Sequence, residues 1–210
     1  MVLYGYAFSS ASYRVRIALA LKDLEASAVS LDLRAGEQRR AEFLSINPQG
    51  FVPTLVLDGG ETLSQSAAII EYLDEMHPQP RLVPDTALAR ARVRALTQLI
   101  ICDVHPLNNL RVLKYLESAL GADPTARESW YRHWVTQGFN ALEQRLATDG
   151  GAGRFCHGDA PTMADVCLVP QVFNARRFSV DLAPYPRIAA IDAACRALEP
   201  FQRAAPERQT

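Results

Sequence analysis

Apolar positions in the first third of the chain come in short bursts separated by turn residues, and after residue 85 they recur at helical spacing instead. Val2 to Tyr6 is an apolar and aromatic run that predicts a strand. Ser9, Ser10 and Ser12 follow as small polar residues suited to a helix cap, and Val15, Ile17, Ala18, Leu19 and Leu21 make Tyr13 to Lys22 a buried helix. Ser27 to Leu33 alternates loosely as a second strand. Glu37 to Ile46 sets its charges on one side and Phe43, Leu44 and Ile46 on the other, as a surface helix does. Asn47-Pro48-Gln49-Gly50 ends that helix, and Val52 to Leu57 predicts a third strand with Pro53 at its start. Asp58-Gly59-Gly60-Glu61 predicts a hairpin, because glycine supplies the positive φ of a tight turn, and Glu61 to Leu63 pairs back as a short fourth strand. Ser66 then caps a helix through Ala67 to Leu73.

The order βαβαββα is the thioredoxin-like arrangement, an α/β layer with an antiparallel hairpin on a mixed sheet. His77-Pro78-Gln79-Pro80 and Pro84 then punctuate the chain, which makes Pro78 to Asp85 the linker. Beyond it helices are predicted over Ala87 to Leu120, Pro124 to Ala147, Thr162 to Phe178 and Tyr185 to Leu198. The expected organisation is an α/β domain over residues 1–78 followed by an all-α domain over residues 86–210.

Composition narrows the function. A 49% hydrophobic content fills two cores, and 22 basic against 23 acidic residues leave a net charge of −1, so no global field draws a polyanion. Nucleic acid is excluded on that ground. Cys102, Cys156, Cys167 and Cys195 show no CxxC spacing and read as free buried thiols. Met1 to Tyr6 carries no basic stretch of a secretion signal, and no apolar run reaches the roughly 18 residues of a membrane span, so a reducing cytoplasm is the expectation. His105 has no second histidine near it, which argues against a metal.

Three segments could carry chemistry. Ser9-Ser10-Ala11-Ser12 lies where a helix begins, and unpaired N–H groups with partial positive charge favour an anion there; a hydroxyl beside them lowers the pKa of a thiol. Pro53 at a strand start suggests a bend or a cis peptide with backbone groups left for a ligand strand. Gln65 and Ser66 stand before an apolar helix and could present donors to a carboxylate. Each also has a purely structural reading, as helix cap or edge-strand proline.

Taken together these segments resemble the soluble glutathione transferases, and within them the zeta class. Ser9-Ser10-Ala11-Ser12-Tyr13-Arg14-Val15-Arg16-Ile17-Ala18-Leu19 is similar to that class's SSCSxRVRIAL signature. Asn47 to Pro53, Gln65 to Ile69 and Leu168-Val169-Pro170-Gln171-Val172 resemble further zeta segments. The resemblance implies glutathione as cofactor, with Ser9 stabilising its thiolate and Ser10 beside it. It further implies Val52 and Pro53 pairing with the cysteinyl backbone across a cis bond, Gln65 and Ser66 on the γ-glutamyl carboxylate, and Gln49, His105 and Asn109 on the rest of the tripeptide. Thr162 and Asp165 are expected as a structural capping box. The implied activity is conversion of maleylacetoacetate or maleylpyruvate, small unsaturated dicarboxylates, to the fumaryl isomer by thiolate addition, bond rotation and elimination, a step of aromatic amino acid catabolism. Arg177 and Arg111 resemble the arginines that bind the substrate's carboxylates, and a homodimer is implied.

Two positions depart from the signature. Ala11 stands for the class cysteine, which removes the enzyme thiol of reductive dehalogenases. Phe8 stands for an arginine, so the substrate pocket gains an apolar ring and loses a cation. Conjugation of a more apolar electrophile, or glutathione binding without catalysis, are the alternatives to isomerisation.

Overall fold

Four short strands, β1 (Val2–Gly5), β2 (Ser27–Ser30), β3 (Thr54–Val56) and β4 (Thr62–Ser64), form one sheet in the order β2-β1-β3-β4. In this computed structural model, which describes residues 1–209, β2 runs parallel to β1, while β3 is antiparallel to both β1 and β4. Helix α1 (Ser10–Leu21) makes the crossover from β1 to β2, α2 (Ala41–Ile46) precedes β3, and α3 (Ser66–Met76) follows β4. The β3–β4 turn uses Gly60 at φ +95°, as the Gly-Gly pair predicts.

Several elements are shorter than their patterns suggest. β2 stops at Ser30 and is exposed throughout, as an edge strand is. The expected helix from Glu37 to Ile46 splits into a 3-10 turn at Glu37–Arg39 and α2, because Arg40 between them is extended (φ −70°, ψ 148°). Glu37 is drawn backward there, its carboxylate accepting from the Asp32 N–H at 2.7 Å.

Helices α1 and α3 pack together, and two buried cations set their register. Arg14 Nη1 donates to Ser66 Oγ at 3.4 Å, and Lys22 Nζ reaches Asp74 Oδ1 at 2.8 Å. Both pairs are separated by 52 residues, so the helices run parallel with their N-termini at the same end. Lys22 also donates to the carbonyls of His77 and Pro80, and Asp74 accepts from the Leu82 N–H, which fixes the chain leaving α3.

The chain divides into two compact units, Met1–Leu82 with Ala197–Thr210, and Val83–Arg196. The helical pattern assigns everything after residue 85 to the second part. The last segment belongs instead with the first unit, because α10 (Glu199–Arg203) packs on α1 with Phe201 and Ala204 buried. Arg16 Nε donates to the Ala204 carbonyl at 3.0 Å, and Arg203 to that of Ala20 at 3.2 Å.

The second unit holds α4 (Ala87–Gln98), a π-helical turn at Leu99–Val104, α5 (His105–Asn108), α6 (Leu110–Leu120), α7 (Pro124–Thr148), α8 (Met163–Arg177) and α9 (Pro186–Arg196). The helix expected over Ala87 to Leu120 is broken at Asn109, which is extended (φ −65°, ψ 144°). Helix α8 is buried from Met163 to Val172 and forms the centre of this unit, which explains its lack of a polar face.

One glycine shows how closely these helices pack. A Cβ on Gly138, in the middle of α7, would lie 2.1 Å from Val104 Cγ2, and Val104 is itself buried on the π-helical turn. Glycine weakens a helix interior by about 1 kcal/mol relative to alanine. Here the close approach outweighs propensity, so Gly138→Ala is expected to destabilise by about 2 kcal/mol, the scale of core overpacking. Urea unfolding checks this, and an unchanged or higher midpoint would refute it.

Candidate active site

The sheet register gathers the three candidate segments of the first unit. Tyr4 pairs with Thr54, and Thr54 with Ser64. The chain leaving β1 toward Ser9, the Val52-Pro53 segment entering β3 and the Gln65-Ser66 segment leaving β4 therefore emerge at one end of the sheet. Because α1 and α3 are parallel and both begin there, two helix N-termini open on the same edge, and each favours negative charge.

Ser9 is the N-cap of α1 (φ −74°, ψ 118°), its Oγ accepting from the Ser12 N–H at 3.2 Å. A hydroxyl used as an acceptor keeps its proton to donate, so capping and donation to an anion coexist in this residue. Ser10 is buried in the first turn, and Ser12 is fully buried with its Oγ 3.4 Å from the Tyr6 N–H. The loop before Ser9 is pinned by Arg16, which donates to the carbonyls of Ala7 at 2.9 Å and Tyr6 at 3.4 Å. Burial lowers the Arg16 pKa to about 10, which leaves it charged at neutral pH. Phe8 is half-buried, its ring centroid 6.0 Å from that of Tyr6.

The Val52-Pro53 peptide is cis. Val52 precedes the β3 ladder, and Asn47 fixes the flanking chain by donating to the Phe51 carbonyl at 2.9 Å and to Thr54 Oγ1 at 3.0 Å. On the other side Gln65 takes a positive φ of 68°, a conformation non-glycine residues pay for with strain and one concentrated at functional sites. Its Nε2 donates to Gln49 Oε1 at 3.1 Å, which brings together two residues distant in sequence. The pattern predicts Ser66 as the cap of α3, but that position belongs to Gln65. Ser66 is the first helical residue instead, buried, with its hydroxyl accepting from Arg14.

In the second unit, Asn109 caps α6 by accepting from the Arg111 N–H at 3.1 Å, and its side chain lies 3.5 Å from His105 Nε2. Arg111 is exposed in the first turn of α6, where a cation opposes the helix dipole. Arg177, the last residue of α8, is exposed; Nη1 donates to Asn174 Oδ1 at 3.3 Å, and the guanidinium lies 5.9 Å from the Phe173 ring centroid. Its neighbour Arg176 is committed to Asp192 at 2.6 Å. Behind Arg177, Tyr131 stacks on Phe178 at 3.6 Å, and burial pushes its hydroxyl pKa up while Arg177 and the side chains of Gln171 and Asn174 pull it back.

Sequence reasoning missed Arg14, Asn174 and Tyr131. Only Arg14 left a signal, as a charge set between the apolar Tyr13 and Val15 of a helix buried on nearly every side. Of the cysteines, Cys156, Cys167 and Cys195 are buried thiols, whereas Cys102, expected among them, is exposed on the π-helical turn. Among the described residues no cluster of three or more His, Cys, Asp or Glu side chains could hold a metal ion, and no helix is long and apolar enough to cross a membrane.

The family model for the glutathione S-transferase N-terminal domain matches residues 8–76, and that for the C-terminal domain matches residues 124–191. A probable maleylacetoacetate isomerase of Vibrio cholerae is 50% identical over 211 residues, covering 100% of this chain and 97% of that protein. A solved holo maleyl pyruvate isomerase, described as a bacterial glutathione S-transferase in the zeta class, superposes with a TM-score of 0.97 at 48% identity, covering 100% of this chain and 98% of that one. The maleylacetoacetate isomerase of Methylobacterium extorquens AM1, solved with bound malonate and glutathione, gives a TM-score of 0.98 at 41% identity over 100% of this chain and 98% of that one.

Proposed function

Because the chain belongs to the glutathione S-transferase family, and within it to the zeta class, we propose that it is a glutathione-dependent cis–trans isomerase of maleylpyruvate or maleylacetoacetate. The observation that carries this reading is the pair of parallel helix N-termini at one end of the sheet, with Ser9 on the first and Gln65 and Ser66 on the second.

The residues present suit glutathione. Ser9 keeps a hydroxyl proton for a sulfur anion, and the first N–H groups of α1 add their partial charge. Val52, outside the strand ladder, offers its backbone to an extended peptide, while Gln65, Ser66 and the start of α3 offer donors to a carboxylate. Gln49 is held beside Gln65 for the remaining polar groups, and the resemblance adds His105 and Asn109. Bound glutathione supplies the thiolate whose reversible addition turns the substrate's double bond single, allows rotation, and restores the bond in the trans form. Arg177 and Arg111 bind the substrate's two carboxylates as charge-assisted forks. Asn174 and Phe173 orient Arg177.

Phe8 favours a second reading, in which the apolar ring beside Tyr6 accommodates an electrophile for conjugation. Cis-to-trans conversion of maleylpyruvate with and without glutathione, beside conjugation of a chlorodinitrobenzene, decides between them. Isomerisation is expected only with glutathione, and Arg177→Ala is expected to raise KM about tenfold or more, the worth of one charged hydrogen-bonding group. Conjugation without isomerisation would overturn the first reading. We read the protein further as a cytoplasmic homodimer, with Met76 and Leu88, 59% and 84% exposed, among the apolar surface a second copy would cover. Sedimentation at the mass of one chain would remove that part.

A further inference from the structure

Among the described residues Arg14 is one of the largest fully buried side chains, with 2% of the residue exposed. Burying a charge carries a desolvation penalty that an apolar side chain of the same volume avoids, so simple packing of α1 on α3 does not account for an arginine here. A guanidinium has five donors, no acceptor, and a proton it does not lose in proteins. Wherever it meets a hydroxyl, the hydroxyl oxygen must accept.

Ser66 Oγ is that acceptor, 3.4 Å from Arg14 Nη1. With its oxygen engaged from below, the Ser66 hydroxyl has its own proton to donate elsewhere. The obvious competing role, accepting from the first N–H groups of α3 as a cap, is closed to it: Ser66 lies inside the helix and Gln65 occupies the cap position. The Lys22–Asp74 pair, eight residues further along both helices (14 to 22 and 66 to 74), holds the register that keeps Arg14 beneath Ser66.

On the glutathione reading given above, we infer that Arg14 is a positioning residue for the γ-glutamyl end of the tripeptide: it turns the Ser66 hydroxyl into a donor and keeps a permanent positive charge behind the γ-glutamyl carboxylate. Arg14 itself touches no ligand in this scheme. Its effect is discrimination for a carboxylate at the start of α3.

Two probes test this by calorimetric titration, glutathione and its γ-aminobutyryl analogue, which lacks only the γ-glutamyl carboxylate. The ratio of the two dissociation constants is read within one preparation, so loss of folded protein lowers the number of sites and leaves the ratio intact. The unmutated protein is expected to prefer glutathione. Arg14→Gln is expected to shrink that preference about tenfold, the scale of a hydrogen bond to a charged group, and Arg14→Lys to hold it within about threefold because the charge and a donor remain. An unchanged ratio in Arg14→Gln would overturn the inference while leaving the glutathione site standing. Failure of the unmutated protein to bind glutathione at all would instead remove the site reading. The unmutated protein also gives a test that needs no variant: a buried charge is poorly screened, so the ratio should persist at high salt. Its collapse there would assign the recognition to exposed cations such as Arg39, which donates to the Gln49 carbonyl at 3.3 Å, and would overturn the role of Arg14.

Discussion

Replacing Ser9 with alanine is expected to lower kcat/KM for glutathione-dependent isomerisation about a hundredfold, the loss typical of removing one donor aimed at a reacting anion. The same change deletes the α1 cap, which is worth about 1 kcal/mol of stability. The two effects can be separated, because Ser9 Oγ accepts from the Ser12 N–H with its lone pair and donates with its proton. Ser9→Asp keeps an equally good cap oxygen but sets a negative charge against the thiolate, so it should recover the stability and fall below Ser9→Ala in activity. The pH–rate profile gives the sign. Loss of the donor destabilises the anion and raises the pKa of the bound thiol, so activity falls at neutral pH and recovers as pH rises. Equal activity of the Ala variant and the unmutated protein, or an acid limb that does not move upward, would show that Ser9 is a cap and nothing more.

How far the sequence carried this site depended on the range of the interaction. Strands and helix starts follow from local patterns, and β1 and the Gly-Gly hairpin lie where those patterns set them. Helix α1 begins at Ser10, among the capping serines and three residues before the predicted Tyr13, and the capping box of α8 was legible through the resemblance. Elements fell short where a contact outside the periodic pattern competed, whether near in sequence or far from it. Glu37 turns back to Asp32 and splits a predicted helix, and Phe201 finds its partners on α1 although it follows a helical domain in sequence. The candidate residues Ser9, Gln49, Val52, Gln65 and Ser66 were legible through resemblance to zeta segments. Their assembly at one sheet end is a property of register, which no local spacing encodes. Arg14 is the sharpest case: within α1 it is a misplaced charge, and only the parallel packing of α3 gives it Ser66. The wrong assignment of Ser66 as cap has the same origin, since a serine before an apolar run signals a cap unless the preceding residue adopts a positive φ, as Gln65 does.

Asp165→Ala is expected to produce the largest loss of stability of any single change considered, about 4 kcal/mol, the sum of two buried N–H groups left without an acceptor. The carboxylate is completely buried at the start of α8. It accepts from the Thr162 N–H at 2.7 Å, from Thr162 Oγ1 at 2.8 Å and from the Cys156 N–H at 2.7 Å, so it closes a capping box and also ties α8 to the loop before it. Burial pushes its pKa up, and the donors from Cys156 and Thr162 oppose that shift. Alanine removes every acceptor at once in the helix that forms the centre of the second unit, and water cannot enter to replace them. Asp165→Asn keeps the shape and one acceptor oxygen but turns an amide toward backbone donors, so it should lie between the two. Urea unfolding followed by circular dichroism measures both variants against the unmutated protein. If Asp165→Ala unfolds within about 1 kcal/mol of it, the ordinary range of a single cap, then the tie to Cys156 carries no stability and α8 is held by its apolar packing alone.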